Sequence, residues 1–266
     1  SFITSNATQY ETVLKAVSDA KSAIRYFRKD FDNGDTYAID PSTIFAGGYS
    51  AGAVIAVHLS YIDSISDLPT TPINVQAIMN NVSPIHGLEG DAGNYGYSSD
   101  VNGVISFAGG VNDINWIDAT DEPLVSCQGD ADQTVNYNCG PGLGNPNILT
   151  LCGSGEMHSR ADNVGVLNDK LIFSGEGHNW AAYGNSDPLF LQALDFTSTF
   201  LFPLLPCNTL PPIPSWDCVG NACVDLGTGN GQHLTLAACN AVCAVSAIEE
   251  HATNKKLLKV TDLLGR

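Results

Sequence analysis

Residues 44–57 read Ile-Phe-Ala-Gly-Gly-Tyr-Ser-Ala-Gly-Ala-Val-Ile-Ala-Val, and the order of residue types in that stretch decides the fold. The short apolar run Ser42 to Ala46 has the length of a buried strand, and Ala51 to Ile62 continues as a helix of small and branched apolar residues. Between them stands Gly48-Tyr49-Ser50-Ala51-Gly52. A strand that turns straight into a helix brings the two backbones close together, which small residues two positions either side of Ser50 allow. The serine is then forced into a tight, strained turn with its hydroxyl exposed at the carboxyl end of the strand. The Ala51 N–H and the helix N-terminus face any oxyanion that forms on a carbonyl attacked there. With 26 glycines in the chain the motif alone is weak, and its strand-turn-helix setting is what gives it weight.

Working outward, residues 7 to 30 space Val13, Leu14, Val17, Ala20, Ile24 and Phe27 by threes and fours, with Lys15, Lys21, Arg25 and Arg28 elsewhere on the cylinder. That is an amphipathic helix of about six turns. Downstream, Val101 to Ala108, Pro123 to Cys127 and Lys170 to Phe173 read as further buried strands, and Pro188 to Phe202 as a closing helix. Strand alternating with helix predicts a parallel α/β sheet.

A serine near neutral pH is a weak nucleophile and needs a base and an orienting acid. The strand ending at Cys127 runs into Gln128-Gly129-Asp130-Ala131-Asp132, where Asp132 is the preferred acid and Asp130 its competitor. The strand ending at Phe173 runs into Ser174-Gly175-Glu176-Gly177-His178-Asn179-Trp180, and His178 is the one histidine placed on such a loop. His58 falls inside a helix as a packed or surface residue. His86, His158, His233 and His251 fall in irregular segments where exposure is the default.

The Gly48-to-Gly52 elbow, the segment EPLVSCQGDADQTVNY (122–137) and the segment LIFSGEGHNW (171–180) together resemble the esterase and lipase branch of the α/β-hydrolase superfamily, over roughly residues 10 to 202. The resemblance implies a serine carboxylic ester hydrolase: Ser50 as nucleophile, His178 as general acid and base, Asp132 orienting the imidazole and the Ala51 N–H as one oxyanion donor. It implies no cofactor and no metal. Where the family usually carries His-Gly, this chain has Gln128-Gly129. The family also has about four strands before the elbow and a loop, often His-Gly-Gly-Gly, that supplies a second oxyanion N–H. Residues 1 to 41 contain neither, so the chain resembles an amino-terminally incomplete hydrolase. Losing one such donor costs on the order of 100-fold or more in rate. A replacement would have to come from elsewhere, such as the Gly109-Gly110 loop or another chain. Loops at the carboxyl ends of the strands converge near Ser50, which makes Tyr49, Ile114, Trp116, Trp180 and Tyr183 candidates for a substrate pocket.

Composition narrows the partners. The 28 acidic residues stand against 11 basic ones, a net charge of -17, and between residues 31 and 254 only Arg160 and Lys170 are basic. Such a surface repels phosphate backbones and anionic headgroups, so nucleic acid is excluded as a partner and neutral or cationic substrates remain open. With no carboxylate-binding arginine cluster visible, a neutral ester, small or polymeric, is favoured. No apolar run reaches membrane-spanning length. Eight cysteines imply disulfides and a secreted or cell-surface location.

Five prolines between residues 203 and 214 mark a linker, set at 203–215, between a catalytic domain 1–202 and a Cys-rich module 216–245. In that module Cys218, Cys223, Cys239 and Cys243 lack Cys-x-x-Cys knuckles, so two disulfides are a better account than zinc held with His233. Cys139 and Cys152 flank a Gly/Pro loop and are expected to pair, leaving Cys127 and Cys207 paired or free. The module resembles Trp/Cys-rich segments that follow hydrolase domains in bacterial surface enzymes, and the tail 246–266 resembles the opening of a type IX secretion sorting domain. Asp30, Asp32 and Asp35 make no calcium loop, since no glutamate stands at the twelfth position. Two rival readings remain: a peptidase on the same scaffold, and a non-catalytic surface-binding protein. The oligomeric state is left open.

Overall fold

The computed structural model describes residues 5–206, 215–220, 222–225 and 231–243. The chain divides into two compact units, Ser1–Asn208 and Thr209–Arg266. Residues 207–214 of the expected linker, Cys207, His251 and the sorting-like tail 246–266 lie outside the described residues.

The first unit opens on helix α1 (Asn6–Asp32), capped by Ser5, whose hydroxyl accepts the Thr8 N–H. Leu14, Val17 and Ile24 form its buried stripe as the spacing predicts. Lys21 and Arg25, expected on the solvent side, are instead buried. The reason is Glu89, whose carboxylate accepts from Lys21 Nζ at 3.1 Å and Arg25 Nη1 at 3.0 Å, while Arg25 Nε donates to Gly93 O. Burial alone would raise the Glu89 carboxyl, but Ser99, Lys21 and Arg25 outweigh it and hold it below its ordinary value. Charges can be buried only when partnered in this way.

Strand β1 (Ala46–Tyr49) leads into α2 (Ala51–Tyr61), followed by α3 (Val75–Val82), β2 (Val104–Phe107) and β3 (Leu124–Gly129). A two-stranded antiparallel hairpin, β4 (Cys139–Pro141) and β5 (Thr150–Cys152), precedes α4 (Ser154–Val164), β6 (Asn168–Phe173) and α5 (Pro188–Leu201). Strands β1, β2, β3 and β6 are parallel and stand side by side in that order. Two expectations about β1 change. It starts at Ala46, not Ser42, because Asp40 folds back to accept the Ser42 N–H and hydroxyl and holds that segment in a turn. It is also an edge strand, only partly covered, whereas β3 in the middle is buried throughout.

Alternation along the strands splits the core in two. Val104 and Leu124 face the larger cluster with Leu14, Val57 and Met157, while Phe107, Cys127 and Phe173 face the smaller one with Ala193 of α5. Both faces are therefore covered, which explains the near-continuous apolar runs of β2 and β3. Cys127 is a free thiol in this sheet, pushed up to about 12 by burial and so chemically quiet.

Just before β3, Asp121 is pushed up to about 7, first by burial and then by repulsion from Asp118, Glu122 and Asp63, against one backbone N–H bond that lowers it. The folded protein thus keeps a proton that the unfolded chain has already lost above about pH 4, so this group's contribution to stability is lost as pH rises from about 4 to about 7. Asp121→Asn should therefore raise Tm by several degrees at pH 8, with the gain shrinking toward pH 4.5, as read by thermal melts across that range. A gain that is equal at both pH values would refute this account.

In the second unit β7 (Trp216–Val219) and β8 (Ala222–Asp225) form an antiparallel hairpin, with α6 (Leu236–Cys243) after it. Disulfides Cys218–Cys243 and Cys223–Cys239 tie the helix to the hairpin, and Cys139–Cys152 joins β4 to β5 in the first unit. Three sulfurs of the small unit lie within 4.8 Å of one another, but all three are held in S–S bonds. No helix among the described residues is long and apolar enough to cross a membrane.

Candidate active site

The serine sits where β1 hands over to α2. Its backbone has φ 55° and ψ −119°, a left-handed region that costs a non-glycine residue about 1–3 kcal/mol. Ser50 N–H donates to Phe107 O and Ser50 O accepts from Val54 N, so sheet and helix hold the strained turn from both sides. A Cβ on Gly48 would lie 2.3 Å from the Gly52 carbonyl carbon, so only glycine fits there. A Cβ on Gly52 would meet nothing within 4 Å, so the steric demand falls on the strand side alone. The Ser50 side chain does not cap α2, which leaves the first-turn N–H groups, Ala51 included, facing the space above it.

The candidate acid and base arrive from the ends of β3 and β6. Asp132 is buried, and its Oδ1 accepts the N–H groups of Thr134 at 2.8 Å and Val135 at 3.0 Å. Its Oδ2 lies 2.8 Å from His178 Nδ1, and His178 Nε2 lies 2.7 Å from Ser50 Oγ. A carboxylate only accepts, so the imidazole proton is on Nδ1 and the Nε2 lone pair faces the serine hydroxyl. Asp130, the competing carboxylate, turns away and accepts Gly175 N–H at 2.6 Å. It tightens the loop that carries the histidine.

Of the remaining histidines, His58 is packed in α2 as expected. His158 is not in an exposed irregular segment: it lies on α4, buried, and is pushed down to about 4 mainly by that burial. His86 is exposed and bonds Asp91, and His233 pairs through its backbone with Trp216.

The five pocket candidates separate. Tyr49 is at the site: its hydroxyl donates to His178 O, its ring lies 5.7 Å from the imidazole, and its phenol is raised by burial and then by Asp132. Trp180 is buried behind the histidine loop against Phe107 and Phe173, and Tyr183 is 81% exposed. Trp116 and Ile114 are not beside Ser50. Asp113 caps a short turn over Ile114–Trp116 that carries both into the main core, where Trp116 meets His58 edge-on and its Nε1 donates to Asp67 O. A large apolar ring gains more there than on an open rim.

The supporting roles of Gln128 and Gly129 escaped the sequence reading. Gln128 is fully buried; its Nε2 donates to Val135 O at 2.7 Å and its Oε1 accepts Ser154 N–H at 2.8 Å, which ties the acid loop to the start of α4. An amide can do this because it both donates and accepts, so the departure from His-Gly leaves the loop intact. Gly109 and Gly110, considered as oxyanion donors, are buried, and a Cβ on either would collide with Ala53 or Cys152. Close packing is what they serve.

Gly129 joins acid and base loops, since a Cβ there would lie 2.2 Å from Glu176 O. Gly129→Ala should cost about 3 kcal/mol, roughly 6–12 °C in Tm for a unit of this size. Calorimetry checks it, and a variant melting within about 2 °C of the parent would contradict the packing argument.

Among solved structures, Thermogutta terrifontis esterase 2 phosphoramylated by tabun is 20% identical, with a TM-score of 0.51 over 72% of this chain and 65% of that one. The same esterase phosphonylated by cyclosarin is also 20% identical, with a TM-score of 0.50 and the same coverage, 72% and 65%. A truncated carbohydrate esterase from gut microbiota is 21% identical, with a TM-score of 0.47 over 69% of this chain and 67% of that one. No curated protein matches. The chain spans less than two thirds of the T. terrifontis esterase structures. At such identity the likeness bears on the fold alone. The family model BD-FAE matches residues 3–145, more than half of the 266 residues, and takes in both the elbow and the acid loop. The chain belongs to the BD-FAE family.

Proposed function

We propose that this chain is the catalytic part of a serine carboxylic ester hydrolase that cleaves neutral esters of short to medium acyl chains through an acyl-enzyme. The observation that carries the reading is the continuous line Asp132–His178–Ser50, with hydrogen-bond distances of 2.8 and 2.7 Å. In this mechanism Ser50 Oγ attacks the ester carbonyl as His178 Nε2 takes its proton, and Asp132 holds the ring and stabilises the imidazolium. The oxyanion is received by the Ala51 N–H and the end of α2. His178 then hands the proton to the departing alcohol oxygen, and water repeats the sequence to release the acid. Disulfides in both units support secretion or display at the cell surface.

A fluorophosphonate probe followed by peptide mapping tests the reading: a phosphonyl adduct on Ser50 is expected. Absence of any adduct in folded protein would overturn it. A panel of matched esters and anilides separates an esterase from a peptidase on the same scaffold. A surface-binding function would survive Ser50→Ala, whereas hydrolysis would not.

A further inference from the structure

One cleft runs from Ser50 along the flank of α2, between the amino-terminal half of α1 and the β4–β5 hairpin. It encloses about 200 Å³. Val13 and Ala16 of α1, Val54 and Ile55 of α2, and Leu143 and Leu151 of the hairpin supply most of its wall, and no charged side chain lines it. The hairpin wall is pinned at its stem by Cys139–Cys152. Ser50 and Ala51 line the cleft, while His178, Tyr49 and Asp132 do not.

That one-sidedness assigns the occupant. A carbonyl carbon bonded to Ser50 Oγ has three other substituents. Its oxyanion must point at the Ala51 N–H, and its alcohol oxygen must lie against His178 Nε2 to collect the proton. The remaining direction is taken by the acyl group, and the cleft, lined by Ser50, Ala51, Thr134 and Val135 but not by His178, is the apolar space beside Ser50 that can receive it. Resting on the reading of Ser50 as nucleophile, we infer that this cleft is the acyl site and that the acids it selects are uncharged and apolar, of the size of one ring or a short branched chain. An apolar cavity of roughly 150 Å³ takes up benzene, which sets the scale. The alcohol half lies on the other side, beside the part-exposed ring of Tyr49, where nothing in the cleft limits its size. Acyl transfer balances there: the Ser50 Oγ–acyl bond forms, the ester C–O bond breaks, and the serine proton leaves on the alcohol.

The test is kcat/KM for p-nitrophenyl acetate, butyrate, hexanoate and dodecanoate, beside a series of acetates of alcohols of increasing size. Each methylene that enters the cleft should raise kcat/KM by up to about fourfold, with a fall for dodecanoate. Ala16→Phe fills the cleft from α1 and should lower the hexanoate-to-acetate ratio by at least about tenfold. Leu143→Ala, which opens the hairpin side, should shift the optimum to longer acids. The ratios along the alcohol series should stay put in both variants. If the variants change the alcohol ratios instead, or if acyl length makes no difference to the parent, the assignment is overturned while the esterase reading stands. If no ester is turned over and the fluorophosphonate leaves Ser50 unmodified, the esterase reading itself has failed.

Discussion

Ser50→Ala should lower kcat for p-nitrophenyl acetate by about 10⁴- to 10⁶-fold, the range expected when a triad nucleophile is removed. It should also abolish fluorophosphonate labelling. The same site makes an independent structural prediction. A left-handed φ of 55° is strained for serine and natural for glycine. Ser50→Gly should therefore be inactive yet more stable, by up to about 1 kcal/mol, because relief of about 1–3 kcal/mol of strain outweighs the roughly 1 kcal/mol of the lost bond to His178 Nε2, and no cap bond is lost. Denaturant melts of parent, alanine and glycine variants measure it. If glycine lowers the midpoint while activity is lost, the turn is not a store of strain, and the argument that the fold holds this serine against its own preference fails.

Asp132→Asn should lower kcat by about 10⁴-fold with little change in KM. The fall would come from the wrong tautomer. Asparagine would keep the N–H bonds of Thr134 and Val135 through its oxygen, but it would present an N–H to His178 where Oδ2 now accepts. The imidazole would then answer with Nδ1 as acceptor and carry its proton on Nε2, facing Ser50 with a donor in place of a base. Asp130→Asn is the internal control. Asp130 holds the Gly175 N–H rather than the imidazole, so its variant should lose less than about tenfold. Steady-state kinetics on the two variants decide between them. Comparable losses would mean that the carboxylates share the role, and a larger loss at Asp130 would reverse the assignment.

How much of this was legible beforehand follows the range of the forces involved. The elbow is a local device: strand, forced turn and helix occupy consecutive residues, and Gly48 is required by a clash with Gly52 only four positions away. Asp132 and His178 were legible because a parallel sheet delivers every carboxyl end to the same edge, so a carboxylate after one strand and an imidazole after another are brought together by topology. Gln128 left a fainter trace. It is a long polar residue near the end of a mostly apolar, wholly buried strand, a sign of a buried hydrogen-bonding task, but its partners Val135 and Ser154 are set by loop conformation. Trp116 was misjudged because a strand-end loop can turn toward the site or back into the core, and what decides is the space among α2, α4 and the short turns. Lys21 and Arg25 were misjudged for the same reason. Their burial depends on Glu89, more than sixty residues away.

By itself the order of residue types determined the α/β class and the serine turn, and narrowed the candidate partners to two neighbouring carboxylates and one histidine, because each depends on strand ends and short turns that neighbouring residues specify. Tertiary structure alone decided which carboxylate faces the imidazole, which aromatic rings reach the site and where the apolar cleft opens. Those outcomes depend on side chains meeting across α1, α2 and a disulfide-bonded hairpin. No local pattern encodes the distances between them.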